Sequence, residues 1–211
     1  MSSQSSKPNF PVMALVWLVI ALILTAVSPA ELTLGSSVKL VFLHAALMWV
    51  GFIGYTGTGL LSVVSLVRKS SSGSAWADSI LQVATVILVS TGLLGIVTAS
   101  LTWGGVVWGE PRLQMLAKIL LLSFGTLFAS RLATIQAQNI LRILLTGGVW
   151  YLLLSTERIV HPVNPIFTSG NIAMMLFPLV IAACILLAAY TTAAWLHERA
   201  AQDRSTQKKP A

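Results

Sequence analysis

The chain is short of charge, of acidic residues and of cysteine, and each shortage excludes something. Only 9% of its 211 residues are charged while 56% are hydrophobic, against roughly 25% charged in an ordinary soluble domain. With a mean hydropathy of +0.85, that balance excludes a soluble globular domain and points to a polytopic membrane protein. The six acids are outnumbered by 13 basic residues, giving a formal charge of +7 and a pI near 10.1. So few charges, with no basic and aromatic module among them, exclude a nucleic-acid-binding domain and suit basic loops that face an anionic leaflet. The single cysteine, Cys184, excludes an intrachain disulfide and a cysteine metal cluster, and its apolar setting reads as a small core residue. Hydrolytic signatures are missing as well: there is no G-x-S-x-G, no H-E-x-x-H and no acid paired with a histidine at motif spacing.

What is present is a series of long apolar runs. A hydrocarbon core of about 30 Å takes about 20 residues of helix, and six runs meet that need: 11–27, 38–67, 80–101, 113–132, 140–154 and 172–196. The fold expected is therefore all-α, with six transmembrane helices in a domain over 11–196, an N-terminal tail over 1–10 and a C-terminal tail over 197–211. The first run reads as a span and not as a cleaved signal, given its length and a basic n-region that holds only Lys7. The second is longer than a crossing requires, so its first turns, where His44 falls, lie at the interface. The serine run over 70–74 and the polar stretch after Trp195 read as solvated connections. Gly51, Gly54, Gly57 and Gly59 lie inside the second run, where they predict close helix packing and not a phosphate loop.

Basic residues give the orientation. Lys7, Arg68, Lys69, Arg131, Arg142, Arg199, Arg204, Lys208 and Lys209 fall on the side of the termini, while Lys39, Arg112, Lys118 and Arg158 fall on the other. The positive-inside rule then predicts cytoplasmic termini. The connections over 28–37, 102–112 and 155–171 are external by the same rule. They border or contain His44, the segment Trp103-Gly104-Gly105-Val106-Val107-Trp108-Gly109-Glu110-Pro111-Arg112, and His161.

Each of these residues has a plain reading and a functional one. Histidines near span ends sit at headgroup level or bond a backbone carbonyl, but two on one side, without an acid beside His44 to make it a base, suit iron ligation by neutral imidazoles. Trp103 and Trp108 belong to an interfacial belt, or form a platform for a planar ligand that the bulk-free Gly104, Gly105 and Gly109 let approach. Arg112 offers a fork for a carboxylate. Lys118, almost two turns into the fourth span, either meets a partner or snorkels outward. His197, in Leu-His-Glu-Arg at the opposite side, reads as a solvated end residue. Zinc fits less well, since the outer carboxylates are only Glu31, Glu110 and Glu157 and no His-x-x-x-His spacing occurs.

Taken together, Phe-Leu-His-Ala-Ala-Leu-Met-Trp at 42–49, a tryptophan-bearing outer loop ending in Glu-Pro-Arg-Leu at 110–113, and an outer histidine before the last span resemble the CcmC-type haem-handling proteins of cytochrome c maturation. The resemblance runs from about Lys39 to Trp195 and extends more distantly to the CcsA and ResC proteins. The family loop reads approximately W-G-x-x-W-x-W-D-x-R-L; aligned without gaps, this chain has valine for the middle tryptophan, glycine for the last and glutamate for the aspartate.

The resemblance implies a protein of the cytoplasmic (inner) membrane that binds haem b non-covalently at its outer, periplasmic face. His44 and His161 would be the axial ligands, Trp103 and Trp108 would stack on the ring, and Arg112 or Lys118 would meet the propionates. The implied partners are a haem chaperone, a small membrane protein and an ABC-type release complex, with haem held and delivered and not altered by an enzymatic step. Two other classes stay open: a b-type electron-transfer subunit, which would need a second histidine pair at the other depth, and a transporter component, which would need polar or broken spans near the midplane.

Overall fold

The computed structural model describes residues 9–32, 34–102, 104–157 and 171–207. Among them are six helices long and apolar enough to cross a membrane, and the only strand-like feature is an isolated bridge between Glu31 and Gly35. The helices are α1 (Phe10–Val27), α2 (Val38–Arg68), α3 (Ser71–Thr102), α4 (Pro111–Ser130), α5 (Ile135–Ser155) and α6 (Ile172–Gln207). This is an all-α, multi-pass membrane protein, as the apolar runs predict. Its outer surface carries Leu15, Leu22, Leu60, Leu93, Leu121 and Tyr151, all more than half exposed, a surface that suits hydrocarbon and not water.

The ends of the helices follow local chemistry. Proline stands in the first turn of α1 and opens α4, where its missing N–H is no loss. Lys39 at the start of α2 donates to the Ala26 carbonyl of α1 at 2.6 Å, meeting a carbonyl left open by the helix end. The Thr134 hydroxyl caps α5 by accepting from the Ala137 N–H, and the Gln138 amide donates back to the Ser130 and Ala133 carbonyls across the α4–α5 turn.

Two helices run past their apolar stretches, and one expectation is overturned. The serine run is not a loop: α3 starts at Ser71, so only Lys69 and Ser70 connect α2 to α3. Lys69 takes the left-handed conformation at φ 51° and the Ser70 N–H returns to the Ser65 carbonyl at 3.0 Å. The polar stretch after Trp195 is helical, since α6 runs on to Gln207, and Arg199 to Asp203 are exposed. Apolarity marks where hydrocarbon lies, and a helix nucleated inside it continues through Glu, Arg, Ala and Gln when no glycine or proline stops it.

α2 is the axis of the bundle. Its row Val38, Phe42, Ala46 and Val50, spaced four apart, packs with Ala21 of α1 and with Met174, Ile181, Cys184 and Ile185 of α6. Its next face, through Phe52 and Tyr55, packs with Leu81, Ala84 and Leu88 of α3, Met115 and Ile119 of α4, and Leu145 and Val149 of α5. Cys184 is thus a buried core residue.

The glycine series behaves unevenly. A Cβ on Gly54 would lie 2.8 Å from Ala84 Cβ and one on Gly59 2.7 Å from Thr146, whereas Gly51 has room at 3.6 Å and Gly57 has nothing within 4 Å. Close packing is thus confined to Gly54 and Gly59, with Gly57 in the wall of an open groove of about 390 Å³ beside Trp49, Phe52 and Trp150.

Polar side chains tie the helices inside this frame. The Tyr55 hydroxyl lies 2.7 Å from Ser123 Oγ and 3.5 Å from Thr85 Oγ1, joining α2, α3 and α4 near mid-bundle. The Thr146 hydroxyl reaches the Tyr55 carbonyl and Trp150 Nε1 donates to Thr56 Oγ1 at 3.0 Å, joining α5 to α2.

Candidate functional site

His44 stands six residues into α2, about 9 Å along the axis, at the end of the bundle where α1, α3 and α5 finish and α4 and α6 begin. Phe42 and Ala46 beside it are buried in the core, and His44 itself is half-buried. Its ring edge rests on bare backbone of α3: a Cβ at Gly95 would lie 3.0 Å from His44 Cε1, 3.4 Å from Nδ1 and 4.0 Å from Nε2. Any larger residue at 95 would compete with the imidazole for its place, so Gly95 shapes the site although the sequence did not single it out.

Trp108 approaches the same stretch of α3 from another side. It is 69% exposed and, with Gly92, Leu93 and Ile96 of α3 and Leu113 and Leu116 of α4, lines an almost wholly apolar groove of about 340 Å³. Gly92 makes room for Leu116, whose Cδ2 lies 3.0 Å from where a Cβ would stand. His44 and Trp108 therefore flank one stretch of α3, His44 against Gly95 and Trp108 in the groove that Gly92 also lines.

In the connection itself Gly104 has φ 73°, a conformation that suits glycine. Around Gly104, Gly105 and Gly109 no described atom comes within 4 Å of a Cβ position, so the backbone there is open to a flat partner.

Charged groups cluster where α4 begins. Glu110 is only 7% exposed and directly precedes the helix, where its carboxylate is favoured by the N-terminal dipole; its N–H donates to the Val107 carbonyl and its own carbonyl accepts from Gln114. Arg112 is half-buried in the first turn. Lys118 is exposed, next to exposed Ala117 and away from buried Met115 and Ile119. That placement favours the snorkelling reading of Lys118. Trp103 and His161 lie outside the described residues. Among the described residues no three His, Cys, Asp or Glu side chains converge as a metal site would require.

The opposite end holds features that sequence reasoning missed or misjudged. His197 is not a freely solvated end residue: it is half-buried and stacks on Trp76 with centroids 4.4 Å apart and planes 19° from parallel, while Trp76 also stacks on Tyr190. The Arg199 guanidinium lies 4.7 Å over the Trp195 ring, a cation–π contact.

Arg142, counted from the sequence among the basic end charges, is 1% exposed. It donates to Asp78 Oδ1 at 2.7 Å, to the carbonyl and hydroxyl of Ser74 at 3.1 and 3.0 Å, and to Gln138 Oε1 at 3.4 Å. Such a pair, far apart in sequence and each near a span end, gives no local motif.

Scanned against known protein families, the chain matches no family model, and no curated protein matches it.

Proposed function

We propose that this protein holds haem at the His44 end of the bundle and delivers it for cytochrome c assembly. The observation that carries the reading is the setting of His44: a half-buried imidazole in the α2–α3 seam, with a glycine opposite, Gly95, that leaves its ring edge space. Neutral imidazole in an apolar wall is a donor suited to haem iron. The residues around it fit such a cargo, with Trp108 offering an indole face and Arg112 a guanidinium fork at the same end. His161 is the second axial ligand in this reading, with Trp103 a further stacking surface. Arg112, half-buried, serves the propionates better than Lys118, whose exposed stem directs its charge away from the bundle.

The protein's own part is to position and to exclude. α2 and α3 hold the His44 ring, the apolar seam keeps water from it, and the open glycine backbone lets a flat ring lie against the connection. Release requires one imidazole to yield. The remaining elements of the reading are a cytoplasmic membrane location, a haem site on the outer face and transfer to a haem chaperone with a small membrane partner and an ABC-type complex. Leaving the paired Arg142 out of account, the basic excess still lies with the termini, which supports cytoplasmic ends.

The test is the visible spectrum of the purified full-length protein, wild type beside His44→Ala and His161→Ala. The expected result is a Soret band that each substitution depletes. A haem-free wild type, or equal haem in all three, would overturn the reading.

A further inference from the structure

We infer that the junction of α2, α3 and α5, at the end away from His44, binds ordered water. The register of the three helices brings its parts to one level. Gly59 against Thr146 sets α2 on α5, Gly73 against Ser65 sets α3 on α2, and the Arg142 bonds to Ser74 and Asp78 set α5 on α3. Ser62 and Ser65 of α2, Ser74 and Asp78 of α3, and Asn139 and Arg142 of α5 therefore meet in one layer.

Most of this layer is sealed: Ser62 is 0% exposed, Ser65 and Asn139 2% each, and Arg142 1%. Yet Ser62 Oγ, Ser65 Oγ, Asn139 Oδ1 and Arg142 Nε have no hydrogen-bond partner among the described residues. The contrast with nearby hydroxyls is sharp. Thr58, Ser79, Thr85, Ser123 and Thr146 all donate to the carbonyl four residues back, which is how a hydroxyl satisfies itself within a helix. Ser62 and Ser65 are turned away from that bond. A buried polar group left without a partner forfeits its hydration with nothing in return, so four in one layer imply a common partner.

The donor set identifies the chemistry. Arg142 Nε can only donate and Asn139 Oδ1 can only accept, while the two hydroxyls do both. An anion would serve the guanidinium and oppose the amide oxygen, and the Arg142 charge is already met by Asp78 at 2.7 Å. A cation would do the reverse. Water donates and accepts, and needs two to four polar partners to be held in a protein interior; this layer supplies four. The Asp78 side chain, 36% exposed, stands where the layer meets solvent and gives water its way in. The site is independent of haem and of His44.

Water-to-protein polarisation transfer in solid-state NMR, on the full-length deuterated protein in lipid bilayers, tests the inference. Arg142 Nε–H, assigned by its loss in Arg142→Lys, is compared with Trp150 Nε1–H, a half-buried donor already bonded to Thr56. The expected result is build-up from water several-fold faster at Arg142 Nε than at Trp150 Nε1, and slowed at Arg142 alone in Ser62→Ala/Ser65→Ala. Equal build-up at the two nitrogens in the wild type would overturn the inference, whether or not the double variant folds.

Discussion

Three glycines within six residues of one helix make a controlled experiment. At Gly59 an added methyl would stand 2.7 Å from Thr146 Cγ2 and Oγ1 and 2.8 Å from its Cβ, about 1 Å inside the 3.5–4.0 Å at which carbon atoms rest. Thr146 cannot swing aside, because a β-branched side chain in a helix has few rotamers and its hydroxyl sits 2.9 Å from both the Tyr55 and Arg142 carbonyls. Overpacking of this kind costs about 1–3 kcal/mol and loss of the interhelical bond about 1 kcal/mol more, while replacing glycine with alanine returns about 1 kcal/mol of helix propensity. Gly59→Ala should therefore lose about 1–3 kcal/mol, a fall of about 2–12 °C in thermal midpoint for a chain of this size.

Gly54→Ala meets only one methyl, Ala84 Cβ at 2.8 Å, and should lose no more than about 2 kcal/mol on the same balance. At Gly57 nothing stands within 4 Å, so Gly57→Ala should keep the propensity gain of about 0.5–1 kcal/mol. Thermal unfolding of the three variants side by side in one detergent, followed by circular dichroism, reads the order directly. A Gly57→Ala variant as unstable as Gly59→Ala would refute the packing argument.

The remaining predictions use other parts of the structure. Arg142→Leu leaves Asp78 without its cation and should lose about 2–4 kcal/mol, whereas Arg142→Leu/Asp78→Leu should recover part of that loss; a double variant no better than the single in equilibrium unfolding would show the pair is not coupled. Tyr55→Phe removes the hydroxyl that joins α2 to Ser123, at about 0.6 kcal/mol and at most about 1.7 kcal/mol, and Ser123→Ala in the same background should add less than it does alone. Gly95→Ala presses on His44 Cε1 at 3.0 Å and should lower the haem-to-protein ratio of the purified protein, with a smaller fall in thermal midpoint than Gly59→Ala shows; undiminished haem would mean that Gly95 does not position His44.

How far the sequence could be read depended on what each signal measures. Runs of apolar residues locate hydrocarbon, so α1 and the start of α2 were legible almost to the residue, while the start of α3 and the end of α6, which lie beyond the apolar runs, were not. The serine run conceals more than a boundary. With Lys69 and Ser70 as the whole turn, α2 and α3 form a hairpin in which residues equally distant from the turn face each other, and His44 and Gly95 are such a pair. The contact was thus written in the sequence for a reader who had the turn right. Arg142 and Asp78 were out of reach for a different reason: each sits near a span end where a charge looks ordinary, and only the packing of α3 on α5 shows that they meet. His161 and Trp103 rest on the family resemblance and on their place in the chain.

The Arg142–Asp78 pair also bears on how the protein is made. Of the six crossing helices α5 has the lowest mean hydropathy, 1.3 against 2.7 for α1 and α6, and Arg142 near its start adds a charge whose insertion cost has as its upper limit the roughly 2.5–3.5 kcal/mol of an arginine at a helix centre. α5 is therefore a poor candidate to leave the translocon alone. Its counter-charge lies 64 residues earlier in the chain, on a helix that is synthesised first and is itself strongly apolar, so α3 can be waiting in the bilayer as α5 emerges. Insertion of the fifth helix becomes an act of docking, and a lesion at Asp78 should appear during biogenesis as a chain missing its fifth crossing, before it appears as a weakened fold.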